Sequence, residues 1–140
     1  LLLDSSKRLK VVFPVHPRTI KMLEQAGLLS DLKANTQIVL TDPLDYFSFQ
    51  KLVKHASVVI TDSGGIQEET TFRQVPCLTV RPNTERPSTV EVGSNTLLDF
   101  DVNDILSNLD VVLNGNYKKG QIPPLWDGAA TQRILKVFGS

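Results

Sequence analysis

The residues best suited to chemistry stand in one run, Thr61-Asp62-Ser63-Gly64-Gly65-Ile66-Gln67-Glu68-Glu69, directly after the apolar stretch 58–60. A buried strand that breaks into Ser-Gly-Gly and then starts a helix sets bare backbone N–H groups at the positive end of a helix dipole, where phosphate binds well. Gly64 and Gly65 lack the side chains that would keep an anion from the backbone, and the Ser63 hydroxyl adds a donor. About a turn further on, Glu68 and Glu69 are adjacent and point roughly 100° apart on a helix. One of them can therefore face a ligand and accept hydrogen bonds from a sugar diol. Phosphate with ribose points to a nucleotide. A tight strand-to-helix connection without a ligand is the plainer alternative, and the turn taken alone fits both.

Three further positions have suggestive chemistry. Arg81 and Arg86 lie in a Pro-bounded segment, Arg81-Pro82-Asn83-Thr84-Glu85-Arg86-Pro87, where two guanidinium groups could clamp a diphosphate and two prolines would stiffen the loop. The alternative is a surface loop in which Arg86 pairs with Glu85 or Glu91. His16, in His16-Pro17-Arg18, is a general acid or base near neutral pH, with Arg18 assisting an anionic leaving group, or else a hydrogen-bonded structural residue. Phe49 begins an apolar helical stripe, which suits core packing or, at a first turn, stacking on a base. His55 reads as structural, Cys77 as a small buried hydrophobe, and Trp126-Asp127-Gly128 as a packing aromatic followed by a helix cap.

Alternating elements must position these residues. Residues 10–15 read as a strand, 17–26 as a helix with Pro17 in its first turn and Gly27 at its stop, and 37–40 as a second strand. Asp45 is placed to cap a helix whose Phe49, Leu52, Val53 and Ala56 repeat at i, i+3, i+4 and i+7. Strands follow at 57–61, 76–80 and 95–99, with helices at 65–73, 102–113 and from Asp127 to about 138. Apolar strands alternating with helices predict an α/β fold, a Rossmann-like parallel sheet with helices on both faces. In such sheets ligands collect beyond the C-terminal strand ends, where His16, Thr41-Asp42, Ser63-Gly64-Gly65 and Arg81 all fall.

Bulk properties narrow the class. A chain of 140 residues with 41% apolar content can bury a core as one domain. Fifteen Lys and Arg offset fifteen Asp and Glu, so no basic field attracts nucleic acid. No apolar run approaches the roughly 20 residues that span a bilayer, and Leu1-Leu2-Leu3 is too short for a signal peptide. The single Cys77 forms no internal disulfide, and no Cys/His cluster has metal-ligand spacing. A cytoplasmic protein with no membrane, metal or cofactor requirement is expected.

The runs His16-Pro-Arg-Thr19, Thr61 to Glu69, Thr84-Glu-Arg-Pro87 with Val92-Gly-Ser-Asn95, and Trp126-Asp-Gly128 together resemble the C-terminal half of the non-hydrolysing UDP-N-acetylglucosamine 2-epimerases, in family order over nearly the whole chain. The resemblance implies a glycosyltransferase-B-like two-domain fold of which residues 1–140 are the C-terminal UDP-binding domain, the N-terminal domain with the catalytic carboxylates being absent. It implies that Ser63, Gly64 and Gly65 hold the diphosphate, that Glu69 binds the ribose, that Arg86 contacts the phosphates, that Phe49 lies against the uracil, and that His16 faces the reacting sugar; Arg18, from the residue reading, joins the UDP-binding set. The implied reaction eliminates UDP and re-adds it with C2 inverted, on UDP-N-acetylglucosamine or a related UDP-amino sugar, in a full-length homodimer of polysaccharide biosynthesis. The fragment alone is expected to be inactive. Where many bacterial members read His-Arg-Arg-Glu-Asn, this chain has His16-Pro-Arg-Thr-Ile20, a form similar to archaeal members and those acting on modified amino sugars.

Two other functions fit the same elements: the nucleotide-binding half of a glycosyltransferase of that architecture, and a free-standing nucleotide-sugar sensor without chemistry. A phosphoacceptor domain needs an acidic cluster after the first strand, where this chain has His16-Pro17.

Overall fold

The computed structural model describes residues 1–139. The chain divides into two compact units, Leu1–Leu52 and the part from Val53 onward. The expected strands form two parallel sheets, one in each unit.

The first unit opens with the short helix α1 (Leu2–Ser5), followed by β1 (Val11–Pro14), α2 (Pro17–Gln25), α3 (Leu29–Ala34) and β2 (Ile38–Thr41). Strands β1 and β2 pair in parallel from Val11 opposite Ile38 to Pro14 opposite Thr41. Pro14, which has no N–H to give to a ladder, stands at the strand's last position. His16 caps α2, Pro17 fills its first turn, and Gly27, at φ +69°, supplies the left-handed residue that ends it. Helix α3 is absent from the sequence reading. Six residues are too few for periodicity to show, and the helix is held by burial of Leu29 and Leu32, one turn apart. Asn35, just past it, donates through Nδ2 to Ser6 Oγ at 2.9 Å.

Helix α4 (Tyr46–His55) starts in the first unit and ends in the second. Asp45 accepts at Oδ1 from the Phe47 and Ser48 N–H groups at 3.0 and 3.1 Å, as its expected capping role requires.

The second unit runs β3 (Val59–Thr61), α5 (Gly64–Arg73), β4 (Cys77–Val80), α6 (Pro87–Glu91), β5 (Asn95–Leu98), α7 (Val102–Leu113) and α8 (Ala130–Phe138). Its sheet has the order β3-β4-β5, with Cys77 opposite both Val59 and Asn95. The central strand is the most buried: Cys77, Leu78 and Thr79 are fully covered. Ile105 and Leu109, one turn apart on α7, are also fully covered, and α7 packs on β4. Asp101 caps α7, accepting at Oδ1 from the Asp104 N–H at 2.9 Å. Burial pushes the Cys77 thiol's pKa up, and the group lies 3.7 Å from Thr79 Oγ1. It is the small buried side chain expected of it.

Two expectations change here. The Pro-bounded segment after β4 does not stay a loop to its end: Pro87 becomes the first residue of α6, because its fixed φ suits a helix start. Asp127 does not cap the last helix, which begins at Ala130 with Ala129 at the cap position. Instead Asp127 accepts from the Ala129 N–H at 2.9 Å and takes Arg133 at 3.0 and 2.9 Å, one bond to each carboxylate oxygen. The Arg133 bonds hold its carboxyl down at about 2. Among the described residues no helix is long and apolar enough to cross a membrane.

Tyr117 ties the sheet to the segment that follows α7. Its hydroxyl lies 2.7 Å from Thr96 Oγ1 and within 3.0 and 3.1 Å of the Cys77 and Ser94 carbonyl oxygens. Burial pushes its pKa up to about 12, from an ordinary 10. The neutral phenol is thus favoured in the folded state, and its contribution is complete below pH 10 and lost as pH rises through 12. At pH 7, Tyr117→Phe is expected to cost about 1 kcal/mol, the net worth of a hydrogen bond. Denaturant melts from pH 7 to 12 should show the gap between wild type and variant closing only above pH 10. A gap that stays constant to pH 12 contradicts the assignment.

Candidate functional site

Strand β3 ends at Thr61, and α5 begins three residues later. Between them, the Ser63 N–H donates to Thr61 Oγ1 at 3.1 Å, which pins the turn. Ser63 holds the cap position in an extended conformation, but its side chain makes no capping hydrogen bond to the helix. Ser63 and Gly65 are exposed and Gly64 half-buried, so the first N–H groups of α5 face an accessible surface. A Cβ on Gly64 would come within 2.8 Å of Glu85 Oε1 and 3.9 Å of Arg81 Nη1, whereas one on Gly65 would meet nothing. The ground beside Gly64 is thus held by a carboxylate and a guanidinium rather than by backbone.

One ion pair lies within the segment after β4, and a second joins that segment to α5. Arg81 Nη1 lies 3.4 Å from Glu85 Oε2, and Arg86 Nε lies 3.0 Å from Glu68 Oε1. The Glu85 carboxyl is held below the usual carboxylate range by its own backbone N–H first and by Arg81 second. The Arg86–Glu68 contact is ionic: despite the short distance, Nε finds no aligned hydrogen-bond partner among the described residues. Arg86 Nη1 also reaches the Glu85 carbonyl at 3.4 Å. The partner of Arg86 is therefore Glu68, not the Glu85 or Glu91 of the surface-loop alternative. Of the two adjacent glutamates, Glu68 is the one turned to Arg86. All four side chains of these pairs keep substantial solvent access, a setting in which ion pairs are weak and exchangeable.

Beneath the charges lies a closed ring of hydrogen bonds that the sequence reading missed. Gln67 Oε1 accepts from Thr84 Oγ1 at 2.6 Å and from Asn95 Nδ2 at 3.2 Å. Asn95 Nδ2 also donates to Thr89 Oγ1 at 3.0 Å, and Thr89 donates on to the Arg86 carbonyl at 2.7 Å. The Arg86 N–H closes the ring on Thr84 Oγ1 at 3.0 Å. Thr79 Oγ1 donates to Asn95 Oδ1 at 2.6 Å, and Gln67 Nε2 reaches the Ser63 carbonyl at 3.4 Å. Gln67, Asn95, Thr89 and Thr79 are all fully buried. The one available signal was polar residues at core positions: Gln67 inside the quoted run and Asn95 at the start of a strand.

In the first unit, His16 and Arg18 are exposed at the start of α2. His16 Nδ1 accepts the Arg18 N–H at 3.2 Å, so the neutral ring bears its proton on Nε2 and offers that edge to solvent. The structural and the chemical readings of His16 are thus compatible. Phe49 is half-buried on α4. Two aromatics in the same turn are more open: Tyr46 is 64% and Phe47 82% exposed, their rings 5.7 Å apart edge to face. Among the described residues no group of His, Cys, Asp and Glu could hold a metal ion.

What the second unit can do chemically is hold an anion: bare N–H groups at a helix start, two arginines beside them, and carboxylates that can give way. Comparison with known proteins shows the family. A family model described as UDP-N-acetylglucosamine 2-epimerase matches residues 2–139. The UDP-N-acetylglucosamine 2-epimerase of Methanocaldococcus jannaschii is 39% identical over 128 residues, 91% of this chain and 34% of that protein. That of Methanococcus maripaludis is 42% identical over 130 residues, 92% of this chain and 35% of the relative. The crystal structure of the M. jannaschii UDP-GlcNAc 2-epimerase in complex with UDP-GlcNAc and UDP matches with a TM-score of 0.81 at 36% identity, over 99% of this chain and 37% of that one. The chain spans about a third of the length of these relatives. With a match that runs through the glycine turn, both arginines and the buried ring, the chain belongs to the UDP-N-acetylglucosamine 2-epimerase family.

Proposed function

We propose that this chain is the UDP-gripping part of an enzyme that inverts C2 of UDP-N-acetylglucosamine or a related UDP-amino sugar. The observation that supports this most is the start of α5 at Gly64 and Gly65, uncapped by the Ser63 side chain, with Arg81 beside Gly64 and Arg86 paired to Glu68 on the same helix, in a member of this family. A diphosphate would accept hydrogen bonds from the turn's N–H groups and take Arg86 from Glu68. Glu69, on the neighbouring face of α5, would bind the ribose diol. In the first unit, Phe49 would lie against the uracil, Arg18 would assist the phosphates, and His16 would present its Nε2–H edge to the sugar.

The reaction this serves is an elimination and re-addition. A base takes the C2 proton as the C1–O bond to UDP breaks, leaving a glycal-type intermediate. UDP then re-adds at C1, with a proton delivered to the opposite face of C2. UDP is both leaving group and returning nucleophile, so it must stay in place while detached, and binding energy is used to hold position. The carboxylates that move the proton belong, on this reading, to the rest of the full-length protein. This chain alone would then bind UDP without epimerising.

Calorimetry of this chain with UDP should show binding tighter than UMP, and Arg86→Ala should weaken UDP about 10- to 100-fold, as loss of a charged hydrogen bond of about 1.5–3 kcal/mol requires. The full-length protein should invert C2 of the UDP-amino sugar. Absence of UDP binding even in the full-length protein would sink the reading.

Gly64→Ala offers a separate test. Its Cβ meets only the movable end of Glu85 and the more distant Arg81, so the melting temperature should stay within about 3 °C of wild type. UDP affinity should fall at least about tenfold, because the methyl stands where the phosphate approaches the backbone. Equal affinity in the variant would place the phosphate elsewhere.

A further inference from the structure

The five bonds of the buried ring grip one residue from both sides. The Arg86 N–H is held by Thr84 and its carbonyl by Thr89, while the ring's other members, Gln67 and Asn95, belong to α5 and β5. Every donor in the ring has a single consistent use. The Thr84 hydroxyl gives its proton to Gln67 and accepts from Arg86, and the two protons of the Asn95 amide go to Gln67 and Thr89. Thr79 fixes which way that amide faces, since it donates to Asn95 Oδ1. The ring cannot close with either amide turned over.

The link between Thr84 and Gln67 is the short one, 2.6 Å. It is also the only bond of the ring that ties the residue 81–86 segment directly to α5, the helix that opens at Gly64 and Gly65. Gln67 continues the connection toward the Ser63 carbonyl, inside the turn itself. Arg86, in contrast, has no aligned hydrogen bond from Nε and touches Glu68 across a solvent-accessible pair. Among the described residues its Nη1 reaches only the neighbouring Glu85 carbonyl, at 3.4 Å, so where the guanidinium stands depends on where the backbone carries it.

We propose that Thr84 is a positioning residue that acts through Gln67 to hold Arg86 against the start of α5, so that the guanidinium meets a phosphate bound at Ser63-Gly64-Gly65 without first being ordered. This deepens the nucleotide reading above and rests on it. Thr84 need touch no ligand. Its effect on affinity should pass entirely through Arg86.

The test is a double-mutant cycle on UDP affinity in the full-length protein that contains this chain, measured well below the melting temperature of each variant. Thr84→Val keeps the shape and removes the hydroxyl; Thr84→Ala removes it with less bulk; Thr84→Ser keeps it. Val and Ala should each weaken UDP about tenfold, the scale of one hydrogen bond's worth of positioning. Ser should stay within about twofold of wild type. In an Arg86→Ala background, Thr84→Val should change UDP affinity by less than about twofold. Equal losses from Thr84→Val with and without Arg86, no loss at all, or no rescue by Ser would each overturn the positioning role and leave the nucleotide reading standing. A wild-type protein that takes up no UDP would refute both.

Discussion

Two amide side chains, Gln67 and Asn95, are buried completely in the second unit, and much of the local structure follows from the need to satisfy them. An amide placed in a protein interior without partners costs on the order of 1–3 kcal/mol per lost bond. A Gln on α5 and an Asn opening β5 can be sheltered together only if hydroxyls arrive from β4, from the 81–86 segment and from α6. Thr79, Thr84 and Thr89 supply them. The demand therefore sets how α5, α6 and the β4–β5 edge meet, and it does so with directional bonds rather than with apolar packing, which would tolerate small slips. A rigid polar floor beneath a glycine turn is a sound base for a site that must keep its donors aimed while a ligand comes and goes.

Above that floor the charges are arranged quite differently. Arg81 and Arg86 are each neutralised by a glutamate, at 3.4 and 3.0 Å, in positions open to water. Exposed pairs of this kind contribute little to stability, so separating them is cheap. The carboxylate of Glu85 stands beside Gly64, in the direction from which an anion would approach the backbone. A stable, buried network and a weak, exposed one are thus stacked in the same few residues. The first fixes geometry; the second leaves charge available for exchange.

Much of this was legible in the sequence. The glycine turn, the Asp45-capped helix, the helix over 102–113 and all five strands were within reach of periodicity and turn chemistry, since each depends on residues close together in the chain. Helices α3 and α6 were not, being six and five residues long, shorter than the window over which a repeat can be seen. Asp127 was misassigned because a cap and a side-chain clamp use the same residue type; only the partner, Arg133, six residues on, distinguishes them. The buried ring was invisible for a deeper reason. Threonine, glutamine and asparagine read as surface residues one at a time, and only tertiary closure across residues 67 to 95 turns them into a core.

The two layers together bear on ligand choice. Each arginine already has a carboxylate, so an arriving anion gains only the difference between its own attraction and the pair it replaces. On the proposed reading, a ligand with one phosphate at the turn engages one arginine and leaves the other on its glutamate. A diphosphate brings oxygens enough to serve the backbone N–H groups and draw Arg81 and Arg86 from their glutamates at once. The released carboxylates are half-exposed and return to water at little cost. On the proposed reading, discrimination for a diphosphate then requires no pocket shaped around the second phosphate. It follows from two weak ion pairs open to exchange, which two phosphates can use together and one phosphate cannot.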